Sequence, residues 1–407
     1  MISVPPSRNL HFAFAGMFWT ALVATCVLAG RGMLAESAGT TNGSKSTEVR
    51  LQAPGWWPRK GDRPRNEYVG AAVCIGCHDS KASFKDSAMA HASARAADAE
   101  SLRLVPFVFQ IGPYRYQITD AGGKKVLRIS KRGASDSAVL LWAFGMGRIA
   151  QTYIYEQKGR FYEGHLSFFS ALHALDITPG HPRTEPPSLE EGLGRLIPVE
   201  ETRRCFGCHT TASTTKDGFD PRTPFPGVTC EACHGPGAKH VAAMKAGDYE
   251  LAMSSIMNPA QLNPVESVDF CGACHRTWQD VILDSPVKIG PLNVRFQPYR
   301  LENSRCWKEG KGDARITCVG CHDPHQSLAQ DPKTYDAKCL QCHLAAGAGA
   351  EAEKNDRNNK DDHRTACPIG VKLCVTCHMP RFKNPFLHTT FTDHWIRIAS
   401  SEAPLPD

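Results

Sequence analysis

The chain has 407 residues, 42% of them hydrophobic and 22% charged, a soluble-protein composition long enough for two or three domains. Its formal charge of +6 comes without any basic run interleaved with aromatics, which argues against a nucleic-acid-binding protein.

Residues 1–35 read as a signal peptide. Arg8 supplies the charged start, Phe12 to Gly30 an apolar run and Ala35 a cleavage point. The run is also long enough for an uncleaved N-terminal membrane anchor; a lipoprotein reading through Cys26 is weakened by Thr25 before it. Residues 36–66, rich in Ser, Thr, Gly and Pro, read as a flexible linker. Residues 67–102 carry Cys74-x-x-Cys77-His78, then an Ala-rich helical stretch from Ser80 to Ala99 that holds His91.

Residues 103–165 differ in kind. Tyr114–Thr119 and Lys125–Ser130 flank Asp120-Ala121-Gly122-Gly123, a hairpin signal, and Thr152–Tyr155 precedes a Lys158-Gly159 turn and Arg160–Tyr162. This predicts a small antiparallel β insertion without cysteine. A structural cap is its plain reading, a docking or substrate-gating surface its sharper one. Residues 166–398 form the remaining domain and 399–407 a tail. His165, His173 and His181 follow one another at eight-residue steps, and Pro179 ends any helix there. Residues 345–362, Ala/Gly-rich and then charged, read as a solvated loop.

The chemistry lies in a pentapeptide. Cys-x-x-Cys-His recurs at Cys205/Cys208/His209, Cys230/Cys233/His234, Cys271/Cys274/His275, Cys318/Cys321/His322, Cys339/Cys342/His343 and Cys374/Cys377/His378, besides the copy at Cys74/Cys77/His78. This is the attachment motif of c-type haem: two thiols add to two porphyrin vinyl groups, and the adjacent His ligates the iron. Seven copies take 14 of 17 Cys and 7 of 17 His. Zinc sites do not demand a His after every second Cys, and disulfides need no His. Seven covalently attached haems imply that porphyrin faces supply much of the buried apolar surface, and that the fold depends on them. At about −1 each, and with Arg8 and Arg31 lost with the leader, they bring the oxidised holoprotein to about −3. Cys306 and Cys367 belong to no motif. They read as a disulfide or as two buried thiols; an eighth haem would leave Cys318 idle.

A low-spin haem needs a second axial ligand. Nine His outside the motifs and leader are candidate distal ligands: His91, His165, His173, His181, His240, His325, His363, His388 and His394. That is enough for doubly His-ligated iron at every site, which favours electron transfer over substrate chemistry. Met89, Met146, Met244, Met253, Met257 and Met379 are minority candidates. His325 is three residues from His322, too close to reach the far face of the same haem, and so suits a neighbour's iron; His240 stands similarly to His234.

Cys230-Glu231-Ala232-Cys233-His234-Gly235-Pro236-Gly237 with His240, Cys321-His322-Asp323-Pro324-His325, and Cys377-His378-Met379-Pro380 followed by His388 and Asp393-His394 resemble the multihaem cytochromes related to cytochrome c-554 and, more distantly, hydroxylamine oxidoreductase. Tyr68-Val69-Gly70 with Cys74 and His91 is similar to the start of that group. The resemblance covers residues 68–94 and 200–398 at the level of motifs. It implies a mainly α fold with much irregular structure, haems in stacked pairs and periplasmic electron transfer. Seven motifs and a long β insertion depart from it, and no motif fixes the substrate-linked Tyr of the oxidoreductases.

The expected function is an exported, periplasmic or cell-surface heptahaem electron carrier, serving redox partner proteins such as a membrane quinol-oxidising complex. One alternative is an oxidoreductase of a small nitrogen or sulfur compound at a haem with an open axial site, with Arg148, Tyr153, Tyr155 and His165 as pocket candidates. Another is a subunit of an extracellular conduit or filament, a homo-oligomer with a ligand donated in trans.

Overall fold

A computed structural model of the chain describes residues 44–284, 290–310, 315–343, 367 and 370–399. The leader with Cys26, the loop at 345–362, His363 and the tail from residue 400 lie outside the described residues.

Nine strands build one antiparallel sheet between the first and second motifs: β1 (Ser93–Arg95), β2 (Phe107–Ile111), β3 (Tyr114–Ala121), β4 (Lys124–Lys131), β5 (Ala134–Phe144), β6 (Ala150–Gln157), β7 (Arg160–Phe169), β8 (Ala174–Ile177) and β9 (Gly194–Leu196). The order β2 to β8 is sequential. The first half of β5 pairs with β4 and its end with β1, while β7 pairs with β6 on one edge and with β8 and β9 on the other. Register shifts at Leu140/Trp142 and Thr152/Ile154 bend the sheet, and Phe107 of β2 meets Phe168 of β7 at 5.3 Å. The result is a nearly closed, barrel-like sheet. The expected hairpin is there: β3 and β4 join at Gly122-Gly123, both at positive φ, and Asp120 accepts a bond from the Gly123 N–H at 2.8 Å.

The expectation of a mainly α fold is corrected. Helix covers 36% and strand 24% of the described residues, and the larger apolar core belongs to the sheet, built on Tyr114, Tyr116, Ile118, Leu127, Ile129, Tyr153 and Leu166. The reason lies in burial. In β3 and β4 buried and exposed residues alternate, which sequence shows; β7 is buried at eight of ten positions and so has no period of two. The β unit is therefore the main body of regular packing around the first and second motifs, not a small addition.

Elsewhere the chain runs in short helices. Within the stretch read as a linker, Thr47–Gln52 is helical, capped by Ser46. Arg50, fully buried, reaches Asp269 at 2.6 Å and Asp280 at 3.2 Å and so ties this helix to the fourth motif's helix, Pro264–His275.

Inside the sheet unit His165 Nδ1 lies 3.3 Å from His181 Nδ1, and His181 Nε2 lies 3.1 Å from Glu163. Burial, with His181 adding, pushes His165 down to about 4. Its folded value is below the ordinary 6.5, so protons favour the unfolded chain. The stability it contributes is complete above pH 6.5 and is lost as pH falls toward 4. Denaturant titrations across that window should show a loss of about 3 kcal/mol from this group, and His165→Gln should flatten that part of the slope. An unchanged slope in the variant would contradict the assignment.

Candidate functional site

Each motif is built on a turn of helix. The backbone N–H groups of His78, His322 and His343 donate to the carbonyl of the first Cys of their own motif at 2.9, 2.9 and 3.0 Å. That i, i+4 closure places both thiols and the imidazole on one helix face. Two turns end longer helices, Val199–His209 and Pro264–His275, the latter capped by Asn263 with Pro264 in its first turn. Phe206 in the former is fully buried against Trp142, Phe144 and Phe161 of the sheet. Phe144 also stacks on the His209 ring at 5.1 Å. The sheet thus serves as the wall on which the second motif is mounted.

All seven motif imidazoles line one continuous cavity of about 4260 Å³. A pocket for one small ligand holds about 300–1,000 Å³, so the space suits several large groups. The motifs meet across it in pairs. The Cys74 thiol contacts that of Cys230, Cys208 that of Cys274, Cys271 that of Cys318, and Cys339 that of Cys374. The first motif is therefore beside the third, the second beside the fourth, the fourth beside the fifth and the sixth beside the seventh.

Carboxylates fasten these neighbours. Glu231, 1% exposed inside the third motif, accepts from Val69 N and Gly70 N at 2.8 Å and from Gly237 N at 2.9 Å. Gly70, at φ 85°, opens the helix of the first motif, a conformation that favours glycine. Asp336, three residues before Cys339, accepts from Leu373 N and Cys374 N at 2.8 and 2.9 Å and joins the sixth motif to the seventh.

Backbone carbonyls fix the tautomer of five imidazoles. Nδ1 of His209, His234 and His240 lies 2.9 Å from the carbonyls of Ala92, Met257 and Ala252. Nδ1 of His378 and His394 lies 3.0 Å from those of Arg397 and Thr392. A carbonyl only accepts, so Nδ1 carries the proton and Nε2 keeps its lone pair for a metal. Burial lowers His234, His275 and His322 and pushes His394 down to about 4, holding them neutral.

Three motif imidazoles face a second one. His78 and His240 have ring centroids 6.3 Å apart, His234 and His325 6.0 Å, and His322 and His394 6.3 Å. Two imidazoles on opposite sides of one metal, each at a metal–nitrogen distance of about 2.0–2.1 Å, have centroids about 6 Å apart. Among the described residues no three His, Cys, Asp or Glu side chains converge on a bare ion. The donors instead fit haem: a thiol pair and an imidazole from one turn, with an imidazole from elsewhere across a gap of the right width.

The remaining candidates lie elsewhere. His91 and His173 are exposed, the latter at φ 50°. His165 and His181 face each other within the sheet unit. His388 Nε2 contacts Asp176 at 2.8 Å and its ring meets Phe169 at 4.8 Å. Met89, Met244, Met253, Met257 and Met379 line the cavity; Met146 does not. Tyr153 and Tyr155 are buried in the sheet core, outside the cavity lining. Cys306 and Cys367 line the cavity, and no disulfide joins them. Glu231, Asp336 and Asp393 escaped sequence reasoning. An acidic residue inside or beside a motif looks solvated until its backbone partners, 38 to 162 residues away for Cys374 and Val69, are known.

Glu231→Ala leaves three inward-facing N–H groups without their acceptor. The haem-loaded variant should lose about 3–5 kcal/mol in denaturant unfolding, and an effect below 1 kcal/mol would contradict the fastening role.

Residues 184–235, which hold the second and third motifs, match the family model described as cytochrome c554 and c-prime. The chain is 24% identical over 176 residues to multiheme cytochrome MtrA of Shewanella baltica (strain OS185), which covers 34% of this chain and 51% of MtrA. It is 29% identical over 87 residues to cytochrome c-554 of Nitrosomonas europaea, 19% of this chain and 37% of that protein. The chain thus spans about half the length of one relative and less of the other. No solved structure matches it. No helix among the described residues is long and apolar enough to cross a membrane.

Proposed function

We propose that this chain, a multihaem c-type cytochrome resembling the cytochrome c-554 group, is an exported electron-transfer protein carrying seven covalent haems. The observation that carries the reading is the set of three imidazole pairs at 6.0–6.3 Å on the wall of one cavity that all seven motifs share. In each pair the second imidazole comes from a different part of the chain. His240 follows the third motif and faces the first; His325 follows the fifth and faces the third; His394 follows the seventh and faces the fifth. Haem iron supplies a one-electron ferric/ferrous couple when bound.

The chain's own residues do the rest. Paired thiols fix each group to its helical turn. The carbonyls on Nδ1 hold five of the rings in the iron-binding tautomer, and Glu231 and Asp336 keep neighbouring turns in register. At the three paired sites two imidazoles would hold the iron and leave it no free position, which suits a carrier. Redox partner proteins, a membrane quinol-oxidising complex among them, fit such a carrier in the periplasm or at the cell surface.

A second reading has its own observation. Among the described residues ten imidazoles line the cavity, seven from motifs and three others. A haem whose sixth position is not held by imidazole would take a small nitrogen or sulfur ligand there.

Ferric EPR with near-infrared magnetic circular dichroism should show at least three bis-imidazole haems. His240→Ala and His325→Ala should each convert one of them to high spin. Variants that leave the low-spin signals intact would overturn the ligand assignment. Carbon monoxide binding by the reduced wild-type protein would favour the second reading over a wholly closed carrier.

A further inference from the structure

We infer that Asp393–Arg397 is a single bracket, clamped by Arg300 and Ser304, that positions two iron-facing imidazoles at once: His394, opposite the fifth motif's His322, and His378 of the seventh motif. The inference rests on the reading of His394 as a haem ligand.

Its geometry is specific. Asp393 and Arg300 are both fully buried, and the guanidinium grips the carboxylate at two points: Nε to Oδ1 and Nη2 to Oδ2, each at 2.8 Å. Arg397 Nη1 reaches the same carboxylate at 2.7 Å and the Trp395 carbonyl at 2.7 Å, folding the five residues into a closed turn. Both guanidiniums lie over the Trp395 ring, at 5.0 and 5.4 Å. A bidentate buried pair of this kind fixes orientation as well as distance.

From that turn two contacts leave toward imidazoles. Ser304 Oγ accepts from Ile396 N at 2.8 Å and donates to the His394 carbonyl at 3.2 Å, which fixes the backbone on which the His394 ring is carried. Arg397 bonds His378 twice. Its N–H donates to the His378 carbonyl at 3.2 Å, and its own carbonyl accepts from His378 Nδ1 at 3.0 Å. Asp393 N also donates to the Pro380 carbonyl, two residues beyond His378, at 2.9 Å. One short segment therefore sets the backbone under one ring and the tautomer of another.

The clamp itself is anchored to a third motif. Arg300 sits on the helix Gln297–Glu302, and Tyr299 of that helix donates its N–H to the carbonyl of Arg276, the residue after His275. Nothing in an electron carrier's general design requires a fully buried Arg–Asp pair here, and such a pair is expensive to desolvate. Precise placement of two rings gives it a use.

Arg300→Met and Ser304→Ala test the inference on the haem-loaded protein, read by ferric EPR and by the midpoint potentials of the individual haems. Ser304→Ala leaves the buried ion pair in place and so keeps the test open if Arg300→Met does not fold. Expected in either variant is a joint change: the low-spin signal that His394→Ala abolishes is altered, and so is a second haem's signal, while those that depend on His240 and His325 stay as in the wild type. Variants that melt at lower temperature with every signal and potential unchanged would make the pair merely structural. A change confined to one haem would also overturn the bracket. If His394→Ala itself leaves the spectrum unchanged, the ligand reading fails first, and the bracket with it.

Discussion

The arrangement depends on one constraint, that an imidazole can ligate iron only through a nitrogen that carries no proton. Five cavity-lining histidines meet it in the same way, by giving the Nδ1 proton to a backbone carbonyl. For His394 the carbonyl is only two residues away, at Thr392, but for His209 it is Ala92, 117 residues away, so the tautomer of that ring is decided by how remote segments are brought together. Side-chain orientation, protonation and fold are in this sense one problem.

The same economy governs the spacing between motifs. A one-turn helix is too short to be stable alone, and the motif turns at Cys230–His234 and Cys374–His378 are only five residues long. What holds them is not helix propensity but anchoring at their ends: the carboxylates of Glu231 and Asp336 on backbone N–H groups, and the sheet behind Phe206. The sheet buries the larger apolar cluster and gives the second motif a rigid mount. Toward the C terminus apolar packing thins to a smaller cluster around Val268, Leu301 and Trp307. There Arg300 and Asp393 take over the work of holding neighbouring segments. Covalent haem would be the natural complement of such a chain, since porphyrin faces would supply the apolar surface that an otherwise hollow interior lacks.

Legibility followed chain distance. Within five residues the sequence was transparent: Cys-x-x-Cys-His closes a helical turn wherever it occurs, and Asp120–Gly123 makes its hairpin. At intermediate range it was partly so. His325 is three residues from His322, and its ring faces His234 instead. Longer range defeated it. His165, His173 and His181 stand alike in the sequence, whereas strand pairing buries the first against the third, which contacts Glu163, and leaves the second exposed. The fold class went wrong for a related reason. A strand buried on both faces, such as Arg160–Phe169, has no alternation to read, and seven helical-turn motifs weight the sequence toward helix. The role of Glu231 is invisible in the sequence, because its partners at Val69 and Gly70 are 162 and 161 positions away.

The account stands on porphyrin being thioether-bound at every one of the seven turns. Intact-mass determination of the purified protein under denaturing conditions tests this directly, since only covalent groups survive. The predicted mass is that of the polypeptide with seven haems added and 14 cysteines consumed. Free thiols at the motifs, or zinc recovered in place of haem from the native protein, would contradict it.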